Sequence, residues 1–400
     1  MNELALLRSY SGIATRLRPS IIRELLKAIA KPGVISFAGG LPAEEIFPAE
    51  GVRNCCCQVL DSDPACLQYG PTEGFTGLKD EIIKWLSTKG IHATHDMITF
   101  ATGAQQAVSL LATIFLDEND LVLVEEPTYP GSVSAIDLQR PEFRVLPSLP
   151  DGHLDMERIE RQMRYAGCKP KLVYLVPTFA NPTGKTISQE NRDILLMLAH
   201  RYGFPIIEDD PYYDLRYAGT PVPPMKALPG GEQVIHLGSF SKVLAPGFRL
   251  GYIVAEPELI KKFVVLKQAV DMESSGFLQR VAAAFLARGY MEPHLARLKA
   301  VYGERLAAMA TALRDHMPEG TWWMDVQGGM FIWLTLPERI DTEVLLSAAL
   351  ERDVAYIPGR PFCIGGGGKN SMRLNFTNAA PDLIREGIGR LGELFAAALG

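Results

Sequence analysis

The sequence contains little of what marks a secreted, membrane-bound or nucleic-acid-binding protein. Only 6 of its 400 residues are cysteine, too few for a disulfide framework, so we expect a reducing, cytoplasmic location. Its apolar runs, such as residues 110–116, are far shorter than the roughly 20 residues that cross a bilayer. The first residues lack a basic start followed by a long apolar stretch, so we expect no secretory signal. With 40 Lys+Arg against 46 Asp+Glu, the net charge of −6 also argues against nucleic-acid binding.

Several catalytic and metal-binding motifs are also absent. Gly184-Lys185-Thr186 resembles the end of a phosphate-binding P-loop, but Phe179 stands where that motif needs its first glycine. There is no G-x-G-x-x-G after a predicted strand, no H-E-x-x-H and no G-x-S-x-G. The cysteines at 55–57 would point about 100° apart on a helix, which predicts partly buried helix residues. Because the histidines are scattered as well, the sequence predicts no metal centre.

Short apolar runs alternate with helical stretches between residues 96 and 256. The runs predict strands at 98–102, 121–126, 171–177, 204–210, 233–239 and 249–255. Several are apolar on both faces, as strands are when helices cover both sides of a sheet. This alternation predicts an α/β fold with a mainly parallel sheet.

Two domains are expected from the change of pattern after about residue 292. A long helix and several short strand-like segments there predict a smaller α+β unit. We assign residues 51–292 to a large domain, 293–400 to a C-terminal small domain, and 1–50 to an N-terminal arm and part of the small domain. Residues 20–30 predict an amphipathic helix in this basic arm, with a mitochondrial transit peptide as the alternative.

Polar side chains follow the strand at 233–239, at the edge where an open α/β sheet places its ligands. Ser239, Ser241 and Lys242 lie there, and Arg249 follows seven residues after the lysine. A guanidinium matches a phosphate group, and its charge would favour the neutral, nucleophilic form of a nearby lysine. An enzyme that uses pyridoxal phosphate (PLP) needs such a lysine, because the lysine holds the cofactor aldehyde as an imine. The alternative is a serine-rich turn with an exposed lysine.

Three other strand ends strengthen this interpretation. The strand at 204–210 ends in acids, and a carboxylate there can pair with the protonated pyridine nitrogen of PLP. A helix cap or a metal ligand is the alternative for those acids. The strand at 171–177 leads to Asn181, whose amide can face the phenolic oxygen of the cofactor. The strand at 98–102 leads to Gly103 and a helix, and a helix N-terminus is a natural phosphate site.

In this order and spacing, the segments resemble the fold-type I, class I/II aminotransferases from about residue 20 to the C-terminus. They are most similar to the group of 2-aminoadipate, kynurenine and aromatic aminotransferases. The matching segments are SFAGGLP (36–42), LQYGPTEGFTGLKDEI (67–82), EEPTYPG (125–131), NPTGK (181–185), EDDPYY (208–213), GSFSKVLAPGFRLGY (238–252) and SMRLNF (371–376). The resemblance implies a transferase of amino-acid metabolism whose large domain binds PLP. It would exchange an amino group between an L-amino acid and a 2-oxo acid such as 2-oxoglutarate, with ping-pong kinetics.

The resemblance implies a cofactor role for each matching residue. Lys242 is the imine lysine and proton carrier, and Asp209 pairs with the pyridine nitrogen. Asn181 and Tyr212 contact the phenolic oxygen, while Tyr129 stacks on the ring. The phosphate contacts are Gly103, Ala104, Gln105, Ser239, Ser241, Arg249 and, from the neighbouring subunit of a homodimer with shared sites, Tyr69. Ala104 departs from the family pattern, which has serine there, and we expect a modest loss of cofactor affinity.

On the substrate side, the resemblance implies that Arg373 holds the α-carboxylate and that Gly40 and Asn181 lie against the substrate. Arg23 matches a mobile arginine that can meet a side-chain carboxylate. The amino donor is left open among the 2-aminoadipate, aromatic and branched or apolar types. A PLP-dependent lyase or decarboxylase is an alternative on the same scaffold. A transcriptional regulator is another, but it needs a DNA-binding domain before the matching region.

Overall fold

A seven-stranded sheet forms the centre of the larger unit in this computed structural model, which describes residues 9–17, 19, 33–149, 151–165 and 169–400. Neighbouring strands are parallel except that one strand runs antiparallel to both of its neighbours. The predicted α/β fold with a mainly parallel sheet is therefore confirmed. In order across the sheet, the strands are β2 (Ile98–Ala101), the antiparallel β8 (Gly251–Val254), β7 (Val234–Ser239), β6 (Ile206–Asp209), β5 (Leu172–Leu175), β3 (Leu121–Val124) and β4 (Glu142–Val145).

All six predicted strands are present, and the sequence analysis missed the seventh. Every residue of β2, β5, β6, β7 and β8 is buried, as the two-sided apolar pattern predicted. The missed strand, β4, lies at the sheet edge and pairs on one side with β3. Its Glu142 and Arg144 are exposed, because an edge strand needs to bury only part of its surface, so its pattern resembles a polar loop.

Helices follow the strands and cover the sheet. One of these helices begins after Ser188, whose hydroxyl accepts a hydrogen bond from Asn191 N, and ends at Gly203 in the left-handed conformation that glycine favours. Cysteines 55–57 lie on a helix and are buried, half-buried and exposed in turn, as predicted. The α-helices described before residue 291, some of which precede the sheet in the chain, are α1 (Gly12–Arg16), α2 (Ala49–Ser62), α3 (Thr76–Ser87), α4 (Ala104–Phe115), α5 (Pro130–Ile136), α6 (Met156–Tyr165), α7 (Gln189–Tyr202), α8 (Pro257–Val270) and α9 (Gly276–Ala287).

A smaller α+β unit follows, as the sequence predicted. Helix α10 (Met291–His316) packs along the terminal α12 (Pro381–Leu399), and the short α11 (Leu346–Leu350) lies between them in the chain. The four-stranded antiparallel sheet of this unit has the order β12 (Ile357–Pro358), β13 (Ser371–Asn375), β10 (Phe331–Thr335) and β9 (Trp322–Trp323).

An N-terminal segment joins this smaller unit. Strand β1 (Ile35–Ser36) pairs in parallel with β11 (Val354–Ala355), and Asn375 N donates a hydrogen bond to Phe37 O at 2.8 Å. The helix predicted at 20–30 lies outside the described residues. In the ranges that are described, none of the helices has the length and apolar character needed to cross a bilayer.

Candidate active site

Lys242 follows the carboxyl end of β7, and its amine lies in a positively charged environment. The side chain is half-buried, and its Nζ donates a hydrogen bond to Gly40 O at 2.8 Å. Burial, reinforced by the charges of Arg373 and Arg249, lowers the pKa of Lys242 to about 8. Near neutral pH, this amine is therefore deprotonated far more often than a free lysine, as a nucleophile requires.

A turn that contains Gly103, and so has backbone without a side chain, leads from β2 into α4. Gly103 has φ +84°, and a Cβ at this position would lie 2.7 Å from Arg249 Nη2, so only glycine lets the guanidinium approach. Arg249 Nη2 donates to Thr102 O at 3.2 Å. Helix α4 begins at Ala104, and the first N–H groups of a helix lack partners within it. The helix start and the guanidinium together can bind a phosphate dianion.

Two further groups border this anion site. Ser239, the last residue of β7, accepts a hydrogen bond from Ser241 N at 3.2 Å, so the two serines form one turn. Gln105 Nε2 donates to Gly131 O at 2.5 Å and thereby joins the start of α4 to the start of α5. The ring of Tyr129 folds back over Gly131, where it occupies the space of a Cβ. The ends of β7 and α4, which carry most of the predicted phosphate contacts, meet at Gly251, where a Cβ would lie 3.1 Å from both Ala104 N and Gly238 O.

Asp209 is the last residue of β6, and its two carboxylate oxygens differ in their hydrogen bonding. Its Oδ2 accepts a hydrogen bond from the Tyr174 hydroxyl at 2.7 Å. Its Oδ1 is buried and has no hydrogen-bond partner among the described residues. Burial raises the pKa of Asp209 to about 6, although the bond from Tyr174 opposes this effect. A buried acceptor without a partner calls for a hydrogen-bond donor, and a cationic N–H group would be a strong one beside a carboxylate.

Arg373, on β13, is buried beside the same pocket. Its Nη1 donates to Asn181 Oδ1 at 2.8 Å, and its Nη2 donates to Ala38 O at 2.6 Å. The guanidinium lies 4.4 Å from the centre of the Phe331 ring and 5.1 Å from that of Phe362. Burial lowers the pKa of Arg373 to about 10. A buried cation enclosed by two rings is a strong site for a carboxylate.

Tyr212 completes this side of the pocket. Burial, and then the neighbouring Tyr129 and Asp209, raise the pKa of its hydroxyl, whereas Arg373 and the nearby Asn181 side chain act in the opposite direction. Tyr129 also acts electrostatically on Arg373. The structure therefore brings together the residues that were predicted to contact the ring, the phosphate and the α-carboxylate, except for Tyr69.

The structure leaves two predicted residues outside this group, one because of its position and one because it is not described. Tyr69 lies on a loop whose Gly70 N donates to Glu273 Oε2 at 2.6 Å, and its side chain is 76% exposed. No hydrogen bond among the described residues joins the Tyr69 side chain to the pocket. Arg23 lies outside the described residues.

Sequence reasoning missed three side chains that shape the site. Tyr174 looked like an ordinary core residue of β5, and Phe331 and Phe362 looked like core residues of the smaller unit. A tyrosine in the middle of an otherwise apolar strand was the available signal, because its hydroxyl needs a partner when buried.

A buried cluster of Glu208, Asp210 and His236 lies beside Asp209 on β6 and β7. One potential ligand atom from each lies within 4.8 Å of the others. However, Glu208 already accepts hydrogen bonds from Met225 N at 2.5 Å, Lys226 N at 3.2 Å and His236 Nδ1 at 2.9 Å. The absence of a metal centre stays a prediction.

The family of the chain follows from its sequence match. The family model described as aminotransferase class I and II matches residues 40–391. This chain belongs to that family. It is a PLP-dependent aminotransferase with a fold of type I.

Relatives of this aminotransferase match over nearly its whole length. The aromatic-amino-acid aminotransferase 1 of Thermococcus litoralis is 43% identical over 389 residues, which cover 96% of this chain and 93% of that protein. The 2-aminoadipate transaminase of Thermus thermophilus is 38% identical over 403 residues, covering 100% and 99%. The solved structure of Pyrococcus horikoshii kynurenine aminotransferase, in complex with PMP, has a TM-score of 0.94 and 41% identity, covering 99% of this chain and 98% of that one. These matches favour amino-group transfer over the lyase and regulator alternatives.

The residues of the aminotransferase fit PLP. The unpartnered Asp209 Oδ1 suits a protonated pyridine nitrogen, and the bare backbone at Gly103 beside Arg249 suits a phosphate. The lowered pKa of Lys242 suits the amine that bonds the cofactor aldehyde.

Proposed function

We propose that Lys242 performs the proton transfer of this aminotransferase and that Arg373 selects the substrate. Bound PLP supplies an aldehyde that accepts the amino group and a ring that withdraws electrons from the substrate α-carbon. The Nζ of Lys242 takes the proton from the α-carbon of the amino donor in the first half-reaction and supplies a proton to the α-carbon of the new amino acid in the second, and the carbonyl of Gly40 orients that amine. Arg373 binds the α-carboxylate and so fixes which bonds of the α-carbon face the lysine.

The other predicted residues bind the cofactor in this proposal. Asp209 keeps a proton on the ring nitrogen, which the ring needs in order to accept electrons. Asn181 and Tyr212 contact the phenolic oxygen, and Tyr129 covers the ring. The proposed phosphate contacts are Gly103, Ala104, Gln105, Ser239, Ser241, Arg249 and Tyr69 of a second copy of the chain.

One observation carries this proposal. The Lys242 amine is held by Gly40 O at 2.8 Å and lies close enough to Arg373 and Arg249 for both charges to lower its pKa. The lysine therefore lies near both the proposed carboxylate site and the proposed phosphate site. These are the two anionic groups that an amino acid and PLP bring together.

The substrate class is the part of the proposal that needs the widest test. The relatives' names mention aromatic amino acids, 2-aminoadipate and kynurenine. We propose an amino donor of the 2-aminoadipate, aromatic or branched apolar type and 2-oxoglutarate as the acceptor. The experiment offers the holoenzyme one donor at a time with 2-oxoglutarate and measures the glutamate formed. Failure of every donor of these types with 2-oxoglutarate would contradict the proposed substrates.

We propose that Arg23 binds the side-chain carboxylate of acidic substrates. A guanidinium can bind such a carboxylate with two hydrogen bonds, so Arg23→Ala should raise KM for 2-oxoglutarate about tenfold or more. KM for leucine or phenylalanine should change little. The matched control is Arg16→Ala, which removes an arginine of the same arm that pairs with Asp137 at 3.2 Å on the surface. Equal changes for acidic and apolar substrates would exclude Arg23 as the selective residue.

We also propose that the enzyme is a homodimer with shared active sites. The support is the exposed Tyr69, which the Glu273 carboxylate holds out from the protomer through the bond to Gly70 N. An aromatic side chain that is 76% exposed on a fixed loop is suited to reach a second subunit. We further propose that the chain is divided into residues 1–50, 51–292 and 293–400, as the sequence analysis assigned them. We also propose a cytoplasmic location. The location rests on the sparse cysteine.

A further inference from the structure

A buried tyrosine lies behind the carboxylate that faces the cofactor. Tyr174 is fully buried on β5, and Asp209 is buried at the end of the neighbouring strand β6. The two strands are parallel, with Tyr174 opposite Ile207. This register brings the tyrosine hydroxyl within 2.7 Å of Asp209 Oδ2.

The two oxygens of Asp209 differ because of this contact. Oδ2 is occupied by Tyr174, whereas Oδ1 has no partner among the described residues and is buried. A free carboxylate can rotate about its terminal bond, since that torsion has broad minima. A hydrogen bond to one oxygen stops this rotation and determines which oxygen is left for a ligand.

A serine of α5 lies beside Tyr174. Ser132 is 1% exposed, and its hydroxyl is near enough to the phenol to oppose the rise in the pKa of Tyr174 that burial causes. A polar neighbour of this kind makes the phenol a better donor to Asp209, because successive polar contacts polarise one another. Ser132, Tyr174 and Asp209 therefore lie in a row from α5 through β5 to β6.

We propose that Tyr174 is a positioning residue for cofactor binding, which orients the Asp209 carboxylate so that Oδ1 faces the ring nitrogen. This inference rests on the proposed role of Asp209. Tyr174 touches neither substrate nor the reacting atoms and acts through Asp209. It also stabilises the ionised carboxylate, since a phenol can donate a hydrogen bond to it.

The titratable groups around Asp209 determine how the affinity for PLP should depend on pH. Tyr174 faces it from β5, His236 from β7 and Tyr212 from the segment after β6, while Glu208 and Asp210 are its neighbours in the chain. The bond from Tyr174 and the charge of His236 both lower the pKa of Asp209. Tyr174→Phe should therefore leave the carboxyl protonated to a higher pH.

The experiment measures PLP affinity of the Tyr174→Phe enzyme. Holoenzyme is dialysed to equilibrium against known concentrations of free PLP at several pH values between 5.5 and 8.5, and bound PLP is quantified. Loss of a hydrogen bond to a charged group corresponds to a change of about tenfold to a hundredfold in an equilibrium constant. The ratio of the variant and wild-type dissociation constants should be largest near pH 6 and fall as pH rises, because high pH ionises Asp209 in both proteins.

The controls separate positioning from packing. Tyr356→Phe removes another fully buried phenol, which donates to Thr342 O at 2.7 Å in the smaller unit, and it should leave PLP affinity unchanged at every pH. Ser132→Ala should lower PLP affinity as Tyr174→Phe does, but by a smaller factor. If the Tyr174→Phe enzyme does not fold, the Ser132→Ala enzyme tests the inference in its place.

Two outcomes would overturn the inference. If the ratio for Tyr174→Phe is independent of pH, or no larger than for Tyr356→Phe, then Tyr174 only fills space. The Asp209→Asn enzyme distinguishes this failure from failure of the proposed function. If Asp209→Asn binds PLP as well as the wild type, the assignment of Asp209 itself is wrong.

Discussion

The unpartnered carboxylate of Asp209 should make the cofactor-free enzyme less stable than its Asp209→Asn variant. In the folded chain, burial raises the pKa of Asp209 from 3.8 to about 6. In the unfolded chain, the carboxyl group ionises near its ordinary pKa, so the unfolded state gains stability as pH rises. Each pKa unit corresponds to about 1.4 kcal/mol, so the full penalty is about 3 kcal/mol.

The sign and the pH range of this effect follow from the raised pKa. Below pH 4, both states hold the proton and the group imposes no penalty. From about pH 4 to about pH 6, the folded state keeps a proton that the unfolded state loses, so the free energy of unfolding falls. Above pH 6, the penalty is constant. Asn cannot ionise, and its amide oxygen can still accept the bond from Tyr174.

Urea unfolding of cofactor-free wild type and Asp209→Asn at pH 5 and pH 8 measures the effect. Protein concentration is held fixed, because association shifts apparent stability. The variant should be more stable by about 1–2 kcal/mol at pH 5 and by about 3 kcal/mol at pH 8. Saturating PLP should reverse the order, because the cofactor pairs with the wild-type carboxylate. A pH-independent difference, or a variant less stable than cofactor-free wild type at pH 8, would refute the reasoning.

Three more substitutions test the site. Lys242→Ala should abolish turnover while PLP stays bound through its phosphate and ring contacts; near-wild-type turnover in a steady-state assay would show that the lysine is misassigned. Arg373→Ala should lower kcat/KM by roughly 30-fold to several thousandfold, the cost of about 2–5 kcal/mol for breaking a buried charge pair, with PLP affinity unchanged; a loss below twofold would contradict a carboxylate site. Mixed dimers of Lys242→Ala with an inactive Tyr69→Ala chain should regain activity, whereas light scattering that finds an active monomer would exclude shared sites.

The sequence predicted the residues at the ends of the strands better than the contacts between them. Lys242, Asp209, Asn181 and the turn at Gly103 each follow an apolar run, and strands that alternate with helices bring such ends to one edge of the sheet. The structure brings these residues to one pocket. Local pattern was sufficient to locate these residues because each lies in, or a few residues after, the strand that positions it.

The contacts that sequence could not predict join strands that are distant in the chain. Tyr174 meets Asp209 because β5 and β6 are neighbours in a particular register, and register is not visible in either segment alone. Phe331 and Phe362 enclose Arg373 from two different segments of the smaller unit. Strand β4 was missed for another reason, since its exposed edge carries charged residues instead of an apolar run.

The pairing of β1 with β11 affects the order in which two parts of the pocket, the PLP contacts and the carboxylate site, can form during synthesis. Residues 35–36 have to wait for residues 354–355, and chains emerge from the ribosome from the N-terminus. The phosphate and ring contacts on β2, β6 and β7 come earlier, because all of them lie before residue 256. The carbonyl of Ala38 can hold Arg373 only after residue 373 has been made. A nascent chain would therefore complete its own share of the PLP-binding surface before its carboxylate site, and within one chain the ability to choose a substrate would be acquired later than the ability to hold the cofactor.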